Sequence, residues 1–314
     1  MVLAGGASAI GGPRLPVEPN VTISCVIPTH DRNDFLRESL ESIGAQTLPP
    51  LEVIVASDIP NPEAERITHE FSQRSGIEAR FVDNSAGAGA SSSRNAGAAV
   101  ARGDLLAFLD DDDLWRPGYL EQASAAMTRD DVDLVVTWIS KFSGDVVQDG
   151  ANMPPGLSHT RVAAVNPGAT GSNVLLRRSA FDDVGGYDIG LPVRNDTDFL
   201  YRFLAAGKTY AVVSARNVLQ RKHDRGQLMS LTEARARGTE LYLAKHGASL
   251  RLRDRNRIRG SIHRIRFHSS RTLPAKLKHA FLIVVLSPVD IMTLLRDIKH
   301  RRMVLVRPLE ERTS

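Results

Sequence analysis

Along residues 21–130, short apolar runs alternate with amphipathic stretches, and this alternation restricts the fold more than any other feature of the chain. Residues 21–27 (VTISCVI), 51–56 (LEVIVA), 77–82 (IEARFV) and 105–109 (LLAFL) have the length and apolar character of buried strands. Between them, residues 31–43, 62–74 and 91–102 read as helices: Leu36, Leu40 and Ile43 share one face, as do Ile67 and Phe71. Pro117 opens a further helix with Leu120, Ala123 and Met127 on one side. Strand-helix alternation predicts an α/β fold: a Rossmann-like, mostly parallel sheet flanked by helices. Ligands of such sheets bind beyond the carboxyl ends of the strands. Those ends fall at residues 28–32, 57–58, 83–85 and 110–113, which hold most of the polar chemistry of the first half.

The second half is less regular. Residues 134–139, 173–177 and 210–213 read as strands and 196–206 as a helix, Gly185-Gly186 marks a turn, and 140–170 reads as loop. Beyond about Leu228 the pattern is helical and increasingly basic. The expected organisation is a disordered lead-in over 1–20, a catalytic domain over 21–227 and a helical, basic C-terminal extension over 228–314. The 314 residues allow one large domain or two ordinary ones. One cysteine, Cys25, excludes an intramolecular disulfide framework and a multi-cysteine zinc site. The first 20 residues lack the basic start and apolar run of a secretory signal, and no stretch has the ~18 uninterrupted apolar residues of a membrane span.

The net charge of +4 hides a division. Residues 245–314 carry 17 Lys/Arg against 5 Asp/Glu, a net of +12; the remainder carries 23 against 31, a net of −8. A basic end is expected to face an anionic membrane, through residues 251–268 and the apolar 280–295, or to be a solvated helical face packed on the domain. Nucleic acid is not expected as a partner: aromatic residues make up 5% of the chain, few of them in the basic end, so base stacking has little to use.

Asp110, Asp111, Asp112 and Asp113 follow the strand at 105–109 without interruption. Carboxylates this close raise one another's pKa, and a hard divalent cation relieves the repulsion. Mg²⁺ is commonly held by one or two carboxylates and completed by phosphate oxygens, so a diphosphate substrate would suit the loop. A solvated acidic turn would carry the same residues.

Seven segments now stand in one order: ISCVIPTHDR, LEVIVASD, SSSRNAG, GDLLAFLDDDDLW, GSNVLLRRSAFDDVGGYD, NDTDFLYR and QRKHDRGQLMS. In them the chain resembles the family 2 glycosyltransferases, inverting enzymes of the A-type nucleotide-sugar-binding fold, over residues 21–223. The resemblance implies a hexosyltransferase-like enzyme that uses Mn²⁺ or Mg²⁺, a nucleotide-diphosphate sugar donor and a carbohydrate or lipid-linked acceptor. It implies polysaccharide or glycoconjugate synthesis of bacterial type, in the cytoplasm or peripherally on the inner face of the membrane.

Residue by residue, the resemblance places Pro28, Thr29 and His30 of the opening motif in the donor site. It puts Asp58 against the base, Arg94 near the nucleotide and Asp111 on the ribose. Asp110 and Asp112 are the first and last acidic residues of the D-x-D motif, with Asp112 the metal ligand. Asp196 stands where the general base stands, His223 near the metal or diphosphate, and Arg221 where it would help neutralise the diphosphate. There are departures: Ser57 replaces a frequent second acidic residue, Ile59-Pro60 stand where Asn or Gly-Ser is usual, His30 occupies an aromatic position, and Asn195 replaces the usual Glu before the base. Two other readings use the same features: a non-catalytic nucleotide-sugar or polysaccharide-binding module, and a nucleotidyltransferase. The second normally has a Gly-rich basic loop after its first strand, and PTHDR has no glycine.

Overall fold

The structure, a computed structural model, describes residues 21–222 and 231–286. The expected lead-in over 1–20, His223, and the apolar continuation beyond Leu286 lie outside the described residues.

Three strand-helix units come first: β1 (Ile23–Thr29), α1 (Asn33–Gly44), β2 (Glu52–Ser57), α2 (Pro62–Ser75), β3 (Glu78–Asp83) and α3 (Gly89–Val100). Then follow β4 (Leu105–Phe108), β5 (Leu114–Trp115), α4 (Tyr119–Asp130), the long β6 (Leu134–Ser143) and β7 (Val146–Asp149). After these come α5 (His159–Val162), β8 (Val174–Arg177), α6 (Arg178–Asp183), α7 (Asn195–Ala205) and β9 (Tyr210–Arg221). Three more helices, α8 (Glu233–His246), α9 (Leu252–Ser269) and α10 (Leu273–Leu286), end the described chain.

Among the described residues the strands form one sheet in the order β3-β2-β1-β4-β8-β6-β9-β5, with β7 paired to β6. β3, β2, β1 and β4 run parallel, and β8 is antiparallel to both of its neighbours, β4 and β6. β9 returns parallel to β6, so the sheet is mostly parallel, as the alternation predicts. Both faces are buried. Cys25, Ile27, Val53 and Val55 meet α1, α2 and α4, while their strand neighbours Val26 and Ile54 meet α3, α6 and α7. Successive side chains point to opposite faces, so a strand covered on both sides is apolar at every position. Cys25 is fully buried and its thiol pKa is pushed up by that burial, which makes it a core residue and not a nucleophile.

Four boundaries differ most from the sequence expectation, and the longest change is in β9, which runs to Arg221 and does not end at Val213. β1 runs through Pro28 to Thr29, because its pairing with β4 ends at Val26↔Phe108 and Pro28 needs only its β2 side. Pro117 lies in the turn ahead of α4. Residues 140–170 are not all loop: β6 continues to Ser143 and turns at Gly144 (φ 54°) into β7.

The last helices pack on the rest of the chain. Tyr242, Leu250, Ile258, Ile262 and Ile265 share a cluster with Ala163, Ala164 and Leu191. Among the described residues no helix is long and apolar enough to cross a membrane.

Candidate active site

The four consecutive aspartates do not act as one patch; the turn after β4 sends each in its own direction. Thr29 Oγ1 donates to Asp111 Oδ2 at 2.7 Å, and the Arg32 guanidinium forks across Asp111 and Asp112, 2.6 Å from each. Ser172 Oγ donates to Asp113 Oδ2 at 2.6 Å, and the Arg221 N–H donates to Asp113 Oδ1 at 2.9 Å. Asp110 pairs with Arg94. Ser39 Oγ lies 2.9 and 2.7 Å from the carbonyls of Asp111 and Asp113 and braces the turn from α1. Burial pushes the Asp111 carboxyl up to about 7 against the pull of Arg32. Asp113 is raised well above its ordinary value by burial and then by Asp110 and Asp112.

Of the four, Asp110 and Asp112 face the open side: their side chains keep 29% and 15% exposure where that of Asp111 keeps none. β9 carries Arg221 to the same loop. Its Nε donates to the Asp112 carbonyl at 2.9 Å and its guanidinium pairs with Glu38 at 2.6 Å. The guanidinium is sandwiched between the Phe35 and Phe142 rings, 4.5 Å from each centroid.

Arg94, on α3, is buried. It pairs with Asp110 and lies over the Tyr187 ring at 5.1 Å, while its Nε and Nη1 have no hydrogen-bond partner among the described residues. Gly171 makes room for it: a Cβ there would stand 2.7 and 2.8 Å from Arg94 Cζ and Nε. Asp196, in the first turn of α7, has a buried Oδ1 that likewise lacks a partner among the described residues. Burial raises its pKa to about 6, with Arg94 pulling down and Asp110 pushing up. Asn195 donates to Ser91 at 3.1 Å and so ties the start of α7 to α3. Arg94, Asp110 and Asp196 thus form one electrostatic group at the carboxyl edge of the sheet.

At the end of β2, Asp58 Oδ1 pairs with His30 Nδ1 at 2.7 Å and its Oδ2 accepts from the Gly89 N–H at 2.7 Å. Both oxygens therefore bind the loop of His30 to the start of α3. Pro28 and Thr29 are buried at the end of β1, and His30 is exposed. The fold brings Thr29, residues 110–112 and Arg94 together, with Arg221 reaching the loop from the far side. His223 lies outside the described residues.

Four contributors have no role assigned from the sequence, although Arg32 closes the first of the seven segments and Gly171-Ser172 open the fifth: Arg32, Ser39, Ser172 and Gly171. Each is a common loop or helix residue that reaches the aspartate loop only through the fold, across at least 59 positions for the three hydrogen-bonded ones. Among the described residues no three His, Cys, Asp or Glu side chains form a self-sufficient cation cage. Asp110 and Asp112, the more exposed carboxylates of the turn, would suit a site that phosphate oxygens complete, and each here carries an arginine, Arg94 and Arg32 respectively.

A Rossmann-like sheet with an acidic turn after its fourth strand and acidic residues, Asp196 and Asp198, opening a later helix is the arrangement of the A-type glycosyltransferase fold. The crystal structure of Staphylococcus aureus TarS 1-349 in complex with UDP-GlcNAc superposes with a TM-score of 0.60 at 19% identity, over 82% of this chain and 76% of that one. A model described as Glycosyl transferase family 2 matches residues 24–185, and a second, Glycosyl transferase family group 2, matches 105–305. The chain belongs to glycosyl transferase family 2. It is 28% identical to the glycosyltransferase YwdF of Bacillus subtilis over 232 residues, 72% of this chain and 84% of the relative. It is 35% identical to the glycosyltransferase MJ1057 of Methanocaldococcus jannaschii over 120 residues, 37% of this chain and 41% of the relative. The chain thus spans about two fifths of MJ1057.

Proposed function

We propose that this glycosyltransferase moves a sugar, with inversion, from a nucleotide-diphosphate sugar to a hydroxyl of a carbohydrate or lipid-linked acceptor, in polysaccharide or glycoconjugate synthesis. The observation that carries the proposal is Asp196: a half-buried carboxylate whose buried Oδ1 has no partner among the described residues, held at a pKa of about 6 beside the Arg94–Asp110 pair. A carboxylate in that state is ionised at neutral pH yet basic enough to accept a proton. The donor side is supported by the fold shared with TarS, which has been solved with UDP-GlcNAc and with UDP.

In the reaction, Asp196 Oδ1 takes the acceptor hydroxyl proton as that oxygen bonds to the anomeric carbon. The bond from the anomeric carbon to the diphosphate oxygen breaks on the opposite face, and the nucleoside diphosphate leaves with the electron pair. Asp196 then passes its proton to water. Arg94 holds positive charge beside Asp110, so the negative charge gathering on the leaving group meets a preorganised guanidinium. Asp58 would act at the base end of the donor through the exposed His30 that it holds, and Asp111, buried and fixed by Thr29 and Arg32, would act at the ribose end through the turn that it braces. Mn²⁺ or Mg²⁺, held by Asp112 with support from Asp110, would supply further charge to the diphosphate.

Thermal-shift measurements with a panel of nucleotide-sugars, with and without Mn²⁺, test the class and the donor together. Stabilisation by one donor, dependent on the cation and lost in Asp112→Ala, is the expected result. Cation-independent stabilisation, or full transfer by Asp112→Ala, would remove Asp112 as the ligand. Asp196→Asn should stop transfer and leave donor binding nearly unchanged; loss of binding, or no effect, would show that the base is elsewhere.

A further inference from the structure

The last described helix takes no part in the chemistry above, yet its surface is built for contact. α10 exposes Leu273, Leu277, Phe281, Val284 and Val285, each more than half accessible. Steps of four, four, three and one residues place all five on one face of an α-helix. Ile283, on the other face, is fully buried, and α10 leans on α9, where His279 stacks on His263 with ring centroids 5.2 Å apart. Five large apolar side chains in one exposed stripe mark an interaction surface.

The charge around the stripe is of one sign. Lys276 and Lys278 sit at the helical positions on either side of it. Residues 251–286 contain ten Lys/Arg and a single acidic residue, Asp254. Arg266 is neutralised by Glu233 and Glu240, whereas Arg251, Arg253, Arg257 and Arg259 are exposed.

We propose that this helical hairpin docks on an anionic lipid surface, with the α10 stripe at the acyl boundary and the arginines and lysines among the headgroup phosphates. Charge complementarity selects this occupant. A second copy of the chain would bring an equally basic hairpin against the first. Residues 287–314 carry six Lys/Arg against four Asp/Glu and offer no net negative surface. An anionic bilayer supplies an apolar layer and negative charge in the geometry that an amphipathic helix lying in the interface requires. The surface lies outside the residues assigned to sugar transfer, so the two proposals can fail separately.

The test is co-sedimentation of the full chain with vesicles of phosphatidylcholine alone and of phosphatidylcholine mixed with phosphatidylglycerol. Binding is expected only to the mixed vesicles, and should weaken as salt rises. Phe281→Glu should reduce partitioning roughly tenfold or more, and Arg253→Glu combined with Arg257→Glu should do likewise. Phe281 is 66% exposed, so its variant should melt at the natural temperature. Asp196→Asn should sediment as the natural chain does. The proposal is overturned by absence of binding, by equal binding to both vesicle types, or by undiminished binding of Phe281→Glu. It is equally overturned if light scattering shows a dimer that Phe281→Glu dissolves.

Discussion

At Asp196 the burial that lifts the pKa to about 6 leads to two opposed expectations. As a base the carboxylate must be ionised, so kcat/KM should fall as pH drops through about 6, and a pH–rate profile reads this directly. In the folding balance the sign is reversed. A carboxyl whose folded pKa lies above its ordinary value stabilises the fold when protonated. That contribution is present below pH 4 and is lost as pH rises through about 6. Asp196→Asn should therefore abolish transfer while stabilising the fold at pH 7 by up to about 3 kcal/mol, seen as a higher melting temperature, with no gain near pH 4. A variant that is inactive and also less stable at pH 7 would contradict the environment described. Gly171 gives a second expectation. In Gly171→Ala the new methyl meets the Arg94 guanidinium, which Asp110 and Tyr187 hold in place. Overpacking of roughly 1–3 kcal/mol that displaces the guanidinium should lower donor turnover, measured as kcat/KM, roughly 5- to 150-fold. The aspartate run is legible because four carboxylates crowded after an apolar strand demand partners, and Asp196 because it falls in NDTDFLYR, one of the segments that carry the family resemblance. Arg32 is not legible. It sits 80 positions from Asp112, and only the adjacency of β1 and β4 turns an ordinary loop arginine into the residue that forks across two carboxylates.

The same contrast holds among the elements. The parallel strands are legible because burial on both faces forces an unbroken apolar run, and their helices because one face alone is buried. The β6–β7 hairpin is not legible. β7 (VVQD) is exposed throughout, so no burial pattern separates it from loop, and its pairing rests on backbone hydrogen bonds that leave no mark on side-chain choice. α7 is legible as a helix, but the role of its second acidic residue is not. Asp198 is fully buried and accepts from Arg202 at 2.8 Å, His246 at 2.6 Å and Lys245 at 2.7 Å, the last two on α8. Burial disfavours its charge, but the hydrogen bonds from His246, Lys245 and Arg202 outweigh burial and hold the carboxyl at about 2. A depressed carboxyl contributes stability at neutral pH that is lost as pH falls from about 4 through 2. Asp198→Ala strands three basic groups and should cost about 3–5 kcal/mol, seen as a lower denaturation midpoint at pH 7. The difference from the natural chain should shrink toward pH 2. An unchanged midpoint at pH 7 would mean that α7 and α8 are not joined through this residue.

For the whole molecule, the division of charge into an acidic body and a basic end invites the picture of two independent parts, and the contacts argue against it. Asp198 lies two residues beyond the proposed base, and two of its three basic partners come from α8. Tyr242 donates to the Ala163 carbonyl at 2.8 Å and, with Ile258, Ile262 and Ile265, covers Ala163, Ala164 and Leu191. Each fully buried side chain of this kind is worth roughly 1.5–3 kcal/mol, against a total stability of about 5–15 kcal/mol for an ordinary domain. The helices after β9 therefore carry a large fraction of the margin by which α7 keeps its place. A chain ended at Lys222 should melt roughly 10 °C or more below the full chain, or fail to stay soluble, and its transfer rate should fall at temperatures where it is still folded. The second readout matters because a shortened chain can lose stability without losing geometry. If the truncated protein melts as the full chain does and transfers sugar at the same rate, then α8 and α9 only cover the surface, and Asp198 does not hold the helix that presents Asp196.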